Sequence, residues 1–540
     1  RGLVMKSCAT ASPLILSVST VIVIITIVII SRIEAEPNEK RENKKGGELA
    51  VAMDDCIRHL NPAVQSGTAT GIPGSQLFAS LLRIDRQGNY HPYLAKSWQM
   101  AENGLSCTFR LRKGAVFHDG RPITSQDVAF SIASVRQHHP FKSMLAAVEA
   151  VETPTPLTAV VRLNQPHPAL LQVAASPMLP IIPKHIYGDG RNLKTHPANW
   201  KVVGSGPFKL NEVKENNIIM DRFADFFIPG KPYLDRIEFV SVNTRSVPAM
   251  FESGVIHLWG FSASGSVNGQ LEKFDHLKVD YDIHVGTGPQ MWLAFNLRTP
   301  PFEDLRVRQA IAYAIDREFL VSKLFNGRAC TATGPISPGS FFYTDDVEQY
   351  NLDVEKANRL LDEAGYPRDP RGMRFNAKID VLPPQLEFLE AAEYLRNDLL
   401  RKTGVNLEII RHKSFPQWAE RVSNWNFDLV IDDVYNWGDP VIGVHRTYDS
   451  TNIRKGVIWT NTQGYRNDAV DTLMELAGRE TDLKKRKSLY VEFQRLVARE
   501  LPVYWLAEVP FATIHHRDLA GFDNSIWGPM FPYDEVYWKR

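Results

Sequence analysis

The chain has few cysteines and lacks the short sequence patterns of common catalytic sites. It carries 4 cysteines in 540 residues and no CxxC pair, which is too few for a disulfide scaffold. The nucleophile pattern GxSxG, the zinc pattern HExxH and the phosphate loop GxxxxGK[ST] are all absent. These absences argue against an exported hydrolase, so we predict that the protein is not an enzyme and carries no cofactor, metal or catalytic residue.

The chain also lacks an excess of charge of either sign. It has 62 basic residues (Lys and Arg) against 61 acidic ones, a net charge of +1. No basic surplus exists that would attract a polyanion, and we predict that nucleic acid is not a partner. The length of 540 residues exceeds what a single core supports, so at least two lobes are expected.

The N-terminus is almost wholly apolar from residue 13 to residue 30, with Lys6 before this run and Ala35 after it. A basic start, an apolar run and a small residue at a cleavage position are typical of a secretory signal, here residues 1–35. The alternative is an uncleaved membrane anchor, since 18 apolar residues just span a bilayer. Without residues 1–35 the net charge becomes −1. The charged tract 36–47 is predicted to be a disordered tether.

Three cysteines remain after the predicted signal, namely Cys56, Cys107 and Cys330. An exported protein could join two of them, and the sequence leaves the pair open.

The most informative stretch is residues 300–320, PPFEDLRVRQAIAYAIDREFL. Val307, Ile311, Ile315 and Phe319 recur at helical spacing and predict one amphipathic helix. As a string, this stretch resembles the signature of the extracellular solute-binding proteins, family 5, which serve oligopeptide, dipeptide and nickel ABC transporters. Further segments similar to that family follow one another in the expected order: FRLRKGAVFHDGRPITSQDVAFS, IIPKHIY, GSGPFKL, PGKPYLDRIEF and FESGVIHLW.

This resemblance implies an α/β fold, a two-lobed periplasmic-binding-protein clamp (type II-like) with an extra subdomain inserted in the first lobe. The first lobe is expected at residues 48–289, with the inserted subdomain at about 73–200. The second lobe is expected at 290–508, and residues 509–540 return to the first lobe. Strand and helix patterns between residues 375 and 431 independently indicate a parallel sheet covered by helices.

Two main regions hold the candidate site residues, and the first of them follows the expected crossover between the lobes. MWLAFNL, residues 291–297, carries Trp292 and Asn296, a large aromatic donor and an amide that both donates and accepts. Both are predicted to contact ligand, with inter-lobe core and a structural cap as alternatives. The Gly, Ser and Thr cluster at 66–75 is predicted to be a loop whose Thr70 could hydrogen-bond a polar ligand.

The second region is FDLVIDDVYNWGDP, residues 427–440, in which a buried strand is predicted to end in a polar, aromatic loop. Tyr435, Trp437 and Asp439 suit a cationic or amino group. Peptide-binding relatives hold the peptide amino terminus with an aspartate in the pattern Trp-x-x-Asp, whereas the spacing here is one residue shorter. Asp439 could therefore cap the turn before Pro440 instead. Arg446 could clamp a ligand carboxylate.

The resemblance predicts the periplasmic substrate-binding component of an ABC transporter. It would capture a small peptide or similar polar solute, work with permease subunits in the inner membrane, and act as a monomer. Alternatives are an exported ligand sensor that uses the same clamp, or a binding protein for an opine, a nickel complex, a sugar or haem.

Overall fold

A computed structural model of the protein describes residues 44–53, 57, 59–214, 217–282, 286–383, 385–522 and 525–539. The predicted export segment and most of the predicted tether lie outside these residues. Within the tether, Gly46 and Gly47 are described, and their backbone N–H groups donate to Tyr233 O and to the Asp235 carboxylate. The folded body therefore begins slightly before Glu48. No helix in the described part of the chain is long and apolar enough to cross a membrane.

Strands occur along the whole described chain. They are β1 (Glu48–Met53), β2 (Leu82–Ile84), β3 (Tyr90–Pro92), β4 (Ala95–Met100), β5 (Ser106–Leu111), β6 (Val148–Thr155), β7 (Thr158–Leu163), β8 (Phe208–Val213), β9 (Asn217–Arg222), β10 (Arg236–Ser241), β11 (Leu258–Ser262), β12 (Leu277–Asp280), β13 (Pro289–Phe295), β14 (Asn376–Val381), β15 (Asn406–Ile410), β16 (Leu429–Tyr435), β17 (Val503–Glu508), β18 (Ala512–His516), β19 (Leu519–Ala520) and β20 (Tyr537–Trp538).

Helices are interspersed with these strands. They are α1 (Thr68–Leu77), α2 (Ser125–His138), α3 (Leu170–Val173), α4 (Lys184–Tyr187), α5 (Val247–Glu252), α6 (Gly265–Leu271), α7 (Leu305–Ala314), α8 (Arg317–Leu324), α9 (Val354–Glu363), α10 (Leu386–Thr403), α11 (Phe415–Ser423), α12 (Pro440–Gly443), α13 (His445–Tyr448), α14 (Asp468–Arg479) and α15 (Leu483–Glu500).

Three sheets organise the chain. The first, in the order β12-β18-β11-β1-β10-β9-β8, is mixed, with β1 parallel to both β10 and β11. The second, β15-β14-β16-β13-β17, has β14 parallel to β15 and β16, while β13 runs antiparallel to β16 and β17. The third, β4-β5-β7-β6, is antiparallel. We call the parts built on these sheets the first lobe, the second lobe and the inserted subdomain.

The chain passes between the lobes twice. It leaves the first sheet after β12 and enters the second at β13, and it returns between β17 and β18. Because β13 and β17 are neighbours in the second sheet, the two passages lie side by side, as a hinge requires. They fall close to the predicted lobe boundaries at residues 289 and 508, which themselves stay a prediction.

The predicted loop at residues 66–75 is wrong, because α1 occupies most of it. Every residue of α1 from Ala69 to Leu77 is buried. A Cβ atom added at Gly74 would lie 2.8 Å from Pro62 Cγ, and one at Gly71 would lie 3.1 Å from Met530 Sδ. The small residues that suggested a loop instead let this helix pack closely against its neighbours.

The predicted single helix over residues 300–320 is two helices. Helix α7 ends at Ala314, and Asp316 then caps α8, its carboxylate accepting the Phe319 N–H at 3.0 Å. This break turns Phe319 off the predicted apolar stripe, and it is 45% exposed. Val307, Ile311 and Ile315 are buried as predicted.

The cysteines divide into one bonded and one free residue among those described. Cys330 is disulfide-bonded, whereas Cys107 is free and buried. The two other cysteines, Cys8 and Cys56, lie outside the described residues, so the partner of Cys330 does as well.

Candidate functional site

A cavity lies where the two lobes meet. It encloses about 540 Å³ outside the protein atoms, including solvent at its mouth. The first lobe and its inserted subdomain contribute one edge, and the second lobe contributes the rest. The lining residues are Ser66, Gly67, Thr68, Phe141, Leu382, Pro383, Gln385, Phe415, Asp433, Val434, Tyr435, Trp437, Arg446 and Trp459.

Strand β16 brings the polar residues of the second lobe to this cavity. The strand was expected to end near Ile431, but it continues to Tyr435 because β13 pairs with it as far as Pro289 opposite Tyr435. Asp433 and Tyr435 therefore lie on the regular end of a strand rather than in a loop. The alternation of side chains puts both on one face of the sheet, the face that lines the cavity.

Aromatic rings form most of the cavity wall. The ring of Trp437 lies 5.4 Å from that of Tyr435 and 6.1 Å from that of Phe141, and the Phe415 and Trp459 rings are 5.6 Å apart. Such walls bury large apolar area with little loss of side-chain freedom.

The backbone is strained at two of these rings. Trp437 has φ 55° and Trp459 has φ 53°, a left-handed conformation that is uncommon for bulky residues. Strain of this kind persists only where surrounding contacts hold it, and it concentrates at functional sites.

Arg446 is the most unusual polar residue of the cavity. It is 2% exposed, and its guanidinium lies 4.1 Å from the centre of the Phe141 ring. It donates to Trp459 O at 2.6 Å and to Tyr435 O at 3.5 Å, while its Nε has no hydrogen-bond partner among the described residues. Burial lowers the pKa of Arg446 to about 9, against the opposing effect of Asp432. The side chain remains charged at neutral pH and forms no ion pair with a described carboxylate at hydrogen-bonding distance.

Trp292 and Asp432 lie behind the wall as a buried pair. Trp292 is 3% exposed, and its indole N–H donates to the Asp432 carboxylate. The two residues face each other across β13 and β16. Burial raises the pKa of Asp432 well above its ordinary value. Trp292 therefore holds the strand that carries the site and does not itself line the cavity.

Further polar atoms of the lining face the same space. The Trp437 indole N–H and the Gln385 side-chain oxygen are buried without a hydrogen-bond partner in the described part of the chain. A buried polar atom left unpaired costs about 1–3 kcal/mol. Together with Arg446 Nε they give the cavity two donors and one acceptor that a polar ligand could satisfy.

Contacts between the lobes close the cavity along one side. Arg454 of the second lobe donates to Pro140 O at 2.8 Å, and Gln172 of the inserted subdomain donates to Trp437 O at 2.8 Å. The start of α1, at Gly67 and Thr68, forms another part of the edge. The lobes thus touch in the described arrangement, as in a closed clamp.

Of the seven residues predicted to contact ligand, the structure brings three to the cavity: Tyr435, Trp437 and Arg446. Asn296 instead donates to Phe427 O at 2.8 Å and Trp425 O at 3.2 Å, so it ties the end of β13 to the turn that precedes β16. Thr70 is fully buried and donates to His59 O at 3.2 Å. Neither residue lines the cavity.

Asp439 has the capping role that was its alternative. Its carboxylate accepts the Val441 N–H at 3.0 Å at the start of α12 and two hydrogen bonds from Arg486, at 2.7 and 2.8 Å. Although burial opposes ionisation, Arg486 keeps the pKa of Asp439 below its ordinary value. The carboxylate that lines the cavity is Asp433 instead, on strand β16. The sequence analysis did not select this residue as a ligand contact.

Sequence reasoning missed the lining residues that come from separate segments: Phe141, Gln385, Phe415 and Trp459. No shared motif connects them, and only the packing of the lobes brings them together. The left-handed backbone conformation of Trp459 is unusual for a bulky residue and points to a functional site, but it is visible only in the structure.

A larger opening lies on the first lobe, between β2, β3 and the C-terminal segment, with about 1570 Å³ outside the protein atoms. Its charged rim is already matched within the lobe, since Arg83 pairs with Asp534 and Lys231 with Glu535. The inter-lobe cavity is the better candidate, because its buried Arg446 forms no hydrogen-bonded ion pair with a carboxylate in the described part of the chain, although Asp432 and Asp433 lie close enough to act on its charge. Among the described residues no group of three or more His, Cys, Asp and Glu side chains could hold a metal ion.

Comparisons with known proteins agree with this architecture. The family model described as "Bacterial extracellular solute-binding proteins, family 5 Middle" matches residues 89–455. The oligopeptide-binding protein AppA of Bacillus subtilis is 26% identical over 486 residues, 86% of each chain. The glutathione-binding protein GsiB of Escherichia coli O1:K1 / APEC is 26% identical, covering 88% of this chain and 91% of its own.

Solved structures show the same fold. AppA of Bacillus subtilis in complex with a nonapeptide superposes with a TM-score of 0.81 at 24% identity, covering 92% of this chain and 100% of its own. NikZ of Campylobacter jejuni in complex with Ni(L-His) gives 0.79 at 22% identity, covering 91% and 99%. The predicted two-lobed α/β fold is confirmed.

Proposed function

Because the chain belongs to family 5 of the bacterial extracellular solute-binding proteins, we propose that it captures a small peptide or similar polar solute in the cavity between its lobes. We infer that the captured solute is then delivered to the membrane permease of an ABC transporter, since solved structures of the same fold are named as an ABC transporter-associated periplasmic binding protein and an ABC transporter substrate binding protein. Closure of two lobes around a ligand is a common mechanism for binding proteins.

The observation that carries the choice of site is the buried charge of Arg446. An arginine that is 2% exposed normally has a carboxylate beside it, because an unpaired buried charge is costly. Here its described hydrogen-bond partners are two backbone carbonyl oxygens. A ligand with an anionic group, such as the carboxylate of a peptide, would complete the pairing when the lobes close.

We infer that Arg446, Tyr435 and Trp437 contact the ligand directly, with Asp433 facing the same space. An amino group of the ligand suits the Asp433 carboxylate, and its apolar part suits the aromatic wall. Trp292, Asn296, Thr70 and Asp439 support the site from behind through their buried hydrogen bonds.

Native mass spectrometry of the gently purified protein, followed by denaturation to release bound solute, tests this proposal. A heterogeneous set of short peptides would identify a peptide carrier. A single non-peptide mass would retire the peptide interpretation and identify the ligand class. If neither the purified protein nor a library of peptides and small anions gives a complex, the proposal is wrong.

We further infer that the protein acts outside the cytoplasmic membrane as a monomer and performs no chemistry on its ligand. The neutral balance of charge supports the absence of a nucleic-acid partner. Deletion of the gene should abolish uptake of the bound solute. Intact uptake together with a lost response to the solute would favour the sensor alternative.

A further inference from the structure

Three hydrogen bonds hold the backbone of Trp437. Its N–H donates to Thr287 O at 3.0 Å, in the passage between the lobes. Its carbonyl oxygen accepts the Asp439 N–H at 2.9 Å, and Asp439 is itself bound by Arg486 of the second lobe. The same carbonyl accepts a hydrogen bond at 2.8 Å from the side-chain amide of Gln172.

Gln172 differs from Thr287 and Asp439, the other two partners of the Trp437 backbone, because it belongs to helix α3 in the inserted subdomain. It lies 265 residues away in sequence and is 8% exposed, although it does not line the cavity. Its amide reaches the Trp437 carbonyl from the opposite side of the cleft. In the described arrangement the hydrogen bond joins the inserted subdomain to the second lobe, so separation of these two parts would break it.

The sequence at residue 438 makes room for this contact. A Cβ atom added at Gly438 would lie 2.2 Å from Gln172 Nε2, closer than any side chain tolerates. Gly438 also has φ 73°, a left-handed conformation that glycine adopts without strain. The absence of a Cβ atom at residue 438 leaves room for the glutamine amide in the position it occupies here, and the left-handed φ independently favours glycine.

We propose that Gln172 is a positioning residue that couples closure of the lobes to the orientation of Trp437. When the lobes close, its amide fixes the strained Trp437 peptide and so holds the indole ring against the cavity. When they open, the hydrogen bond breaks and the Trp437–Gly438 segment is released. The inference rests on the proposed function for the identity of the site, but the contact is a property of the chain itself.

Neighbouring contacts indicate that Gln172 acts in closure of the lobes and does more than pack in a core. Phe141 of the inserted subdomain meets the Trp437 ring at 6.1 Å and lies under Arg446, and Arg454 donates to Pro140 O. The inserted subdomain therefore meets the second lobe at the ligand-lining residues themselves. Gln172 is the member of this contact that directs a hydrogen bond to the strained peptide.

The test is hydrogen exchange of the Trp437 and Asp439 amides, with small-angle X-ray scattering of the same samples, on the full protein without added solute. Three variants separate hydrogen bonding from volume: Gln172→Ala, Gln172→Met and Gln172→Glu. Ala and Met remove the donor, and Met keeps most of the volume. Glu keeps both the volume and the shape, and its carboxyl group can donate only when it is protonated. We expect exchange at both amides to rise about fivefold, as follows from the loss of a hydrogen bond worth about 1 kcal/mol, together with a larger radius of gyration.

Gln165→Ala is the matched control. Gln165 lies in the same subdomain, is partly exposed and has no role at the Trp437 peptide. It should leave both measurements unchanged. A purely structural role of Gln172 would instead lower the melting temperature and raise exchange throughout β16.

Unchanged exchange at Trp437 and Asp439 in Gln172→Met, or an increase spread evenly over the second lobe, would overturn the inference. If Gln172→Ala does not fold, the Met and Glu variants still decide the question because they retain the packing volume. Neither readout requires a solute or a transporter. Failure here is therefore distinct from failure of the proposed function, which the release of bound solute tests.

Discussion

Replacing Arg446 by methionine should weaken solute binding without strongly destabilising the empty protein. Methionine keeps much of the volume and removes the charge. The pKa of Arg446 falls from 12.5 to about 9 through burial, which corresponds to about 5 kcal/mol spent on holding the charge in the folded state at 1.36 kcal/mol per pH unit. The substitution removes that cost.

The same substitution leaves two carbonyl acceptors, Trp459 O and Tyr435 O, without their donors. Each unsatisfied group costs about 1–3 kcal/mol. Asp432 adds little, because burial already raises its pKa and favours its neutral form. The variant should therefore lie between about 1 kcal/mol less stable and about 3 kcal/mol more stable than the wild type in urea unfolding at pH 7.

Binding should respond in the opposite direction. A hydrogen bond to a charged group is worth about 1.5–3 kcal/mol, so the affinity for the co-purified solute should fall by about tenfold to more than hundredfold. Titration of the identified solute into the stripped protein measures this change. Native mass spectrometry should show the variant purified without that solute.

Arg486→Met is the matched control, since Arg486 is also a buried arginine but has a carboxylate partner. Its removal leaves Asp439 buried without the two hydrogen bonds at 2.7 and 2.8 Å, which should cost about 3–5 kcal/mol. The reasoning is refuted if Arg446→Met loses more than about 2 kcal/mol of stability, or if it keeps the solute with unchanged affinity.

Three further predictions follow from single contacts. Asp439→Ala should destabilise the protein by about 3–5 kcal/mol in chemical unfolding, because Arg486 is then buried without its partner; a loss below about 1 kcal/mol would contradict this. Burial raises the pKa of Glu508 to about 7 from an ordinary 4.5, so wild-type stability should fall as the pH rises from about 4.5 to 7, where the unfolded chain releases a proton that the folded protein keeps. Glu508→Gln should abolish that fall and raise the melting temperature at pH 8, and an unaltered pH profile would count against it. Gly74→Ala should cost about 1–3 kcal/mol through overlap with Pro62, measured by thermal unfolding beside Gly269→Ala, which is also in a helix and whose added Cβ meets no atom within 4 Å.

Much of the fold was accessible from sequence because its local patterns agree with its tertiary structure. For example, Thr124 and Asp127 have the spacing of a capping box, which indicates a helix start, and α2 does begin there, with the Thr124 N–H donating to the Asp127 carboxylate at 2.9 Å. The alternation of strand and helix between residues 375 and 431 corresponds to β14, α10, β15, α11 and β16. Where local propensity and packing disagreed, as in α1, packing decided, because buried glycines there admit close neighbours.

Only part of the site could be predicted from the sequence, and the reason differs from that for the fold. Strand β16 delivers Tyr435 and the segment after it delivers Trp437, so one continuous stretch revealed both. Asp439 is held by Arg486, which lies 47 residues further along and has no visible relation to it in the sequence. Asp433 lines the cavity because β16 continues to Tyr435. The first-lobe edge is set by closure of the lobes, which no local pattern encodes.

The most direct test of the central claim is a hydrogen-exchange comparison of the protein with its co-purified solute and after that solute has been stripped. We predict protection on both sides of the cleft, at residues 66–68 and 141 of the first lobe and at residues 433–437 and 446 of the second. Protection confined to one lobe, or centred on the opening formed by residues 83–92 and 525–535, would contradict capture of the solute between the lobes.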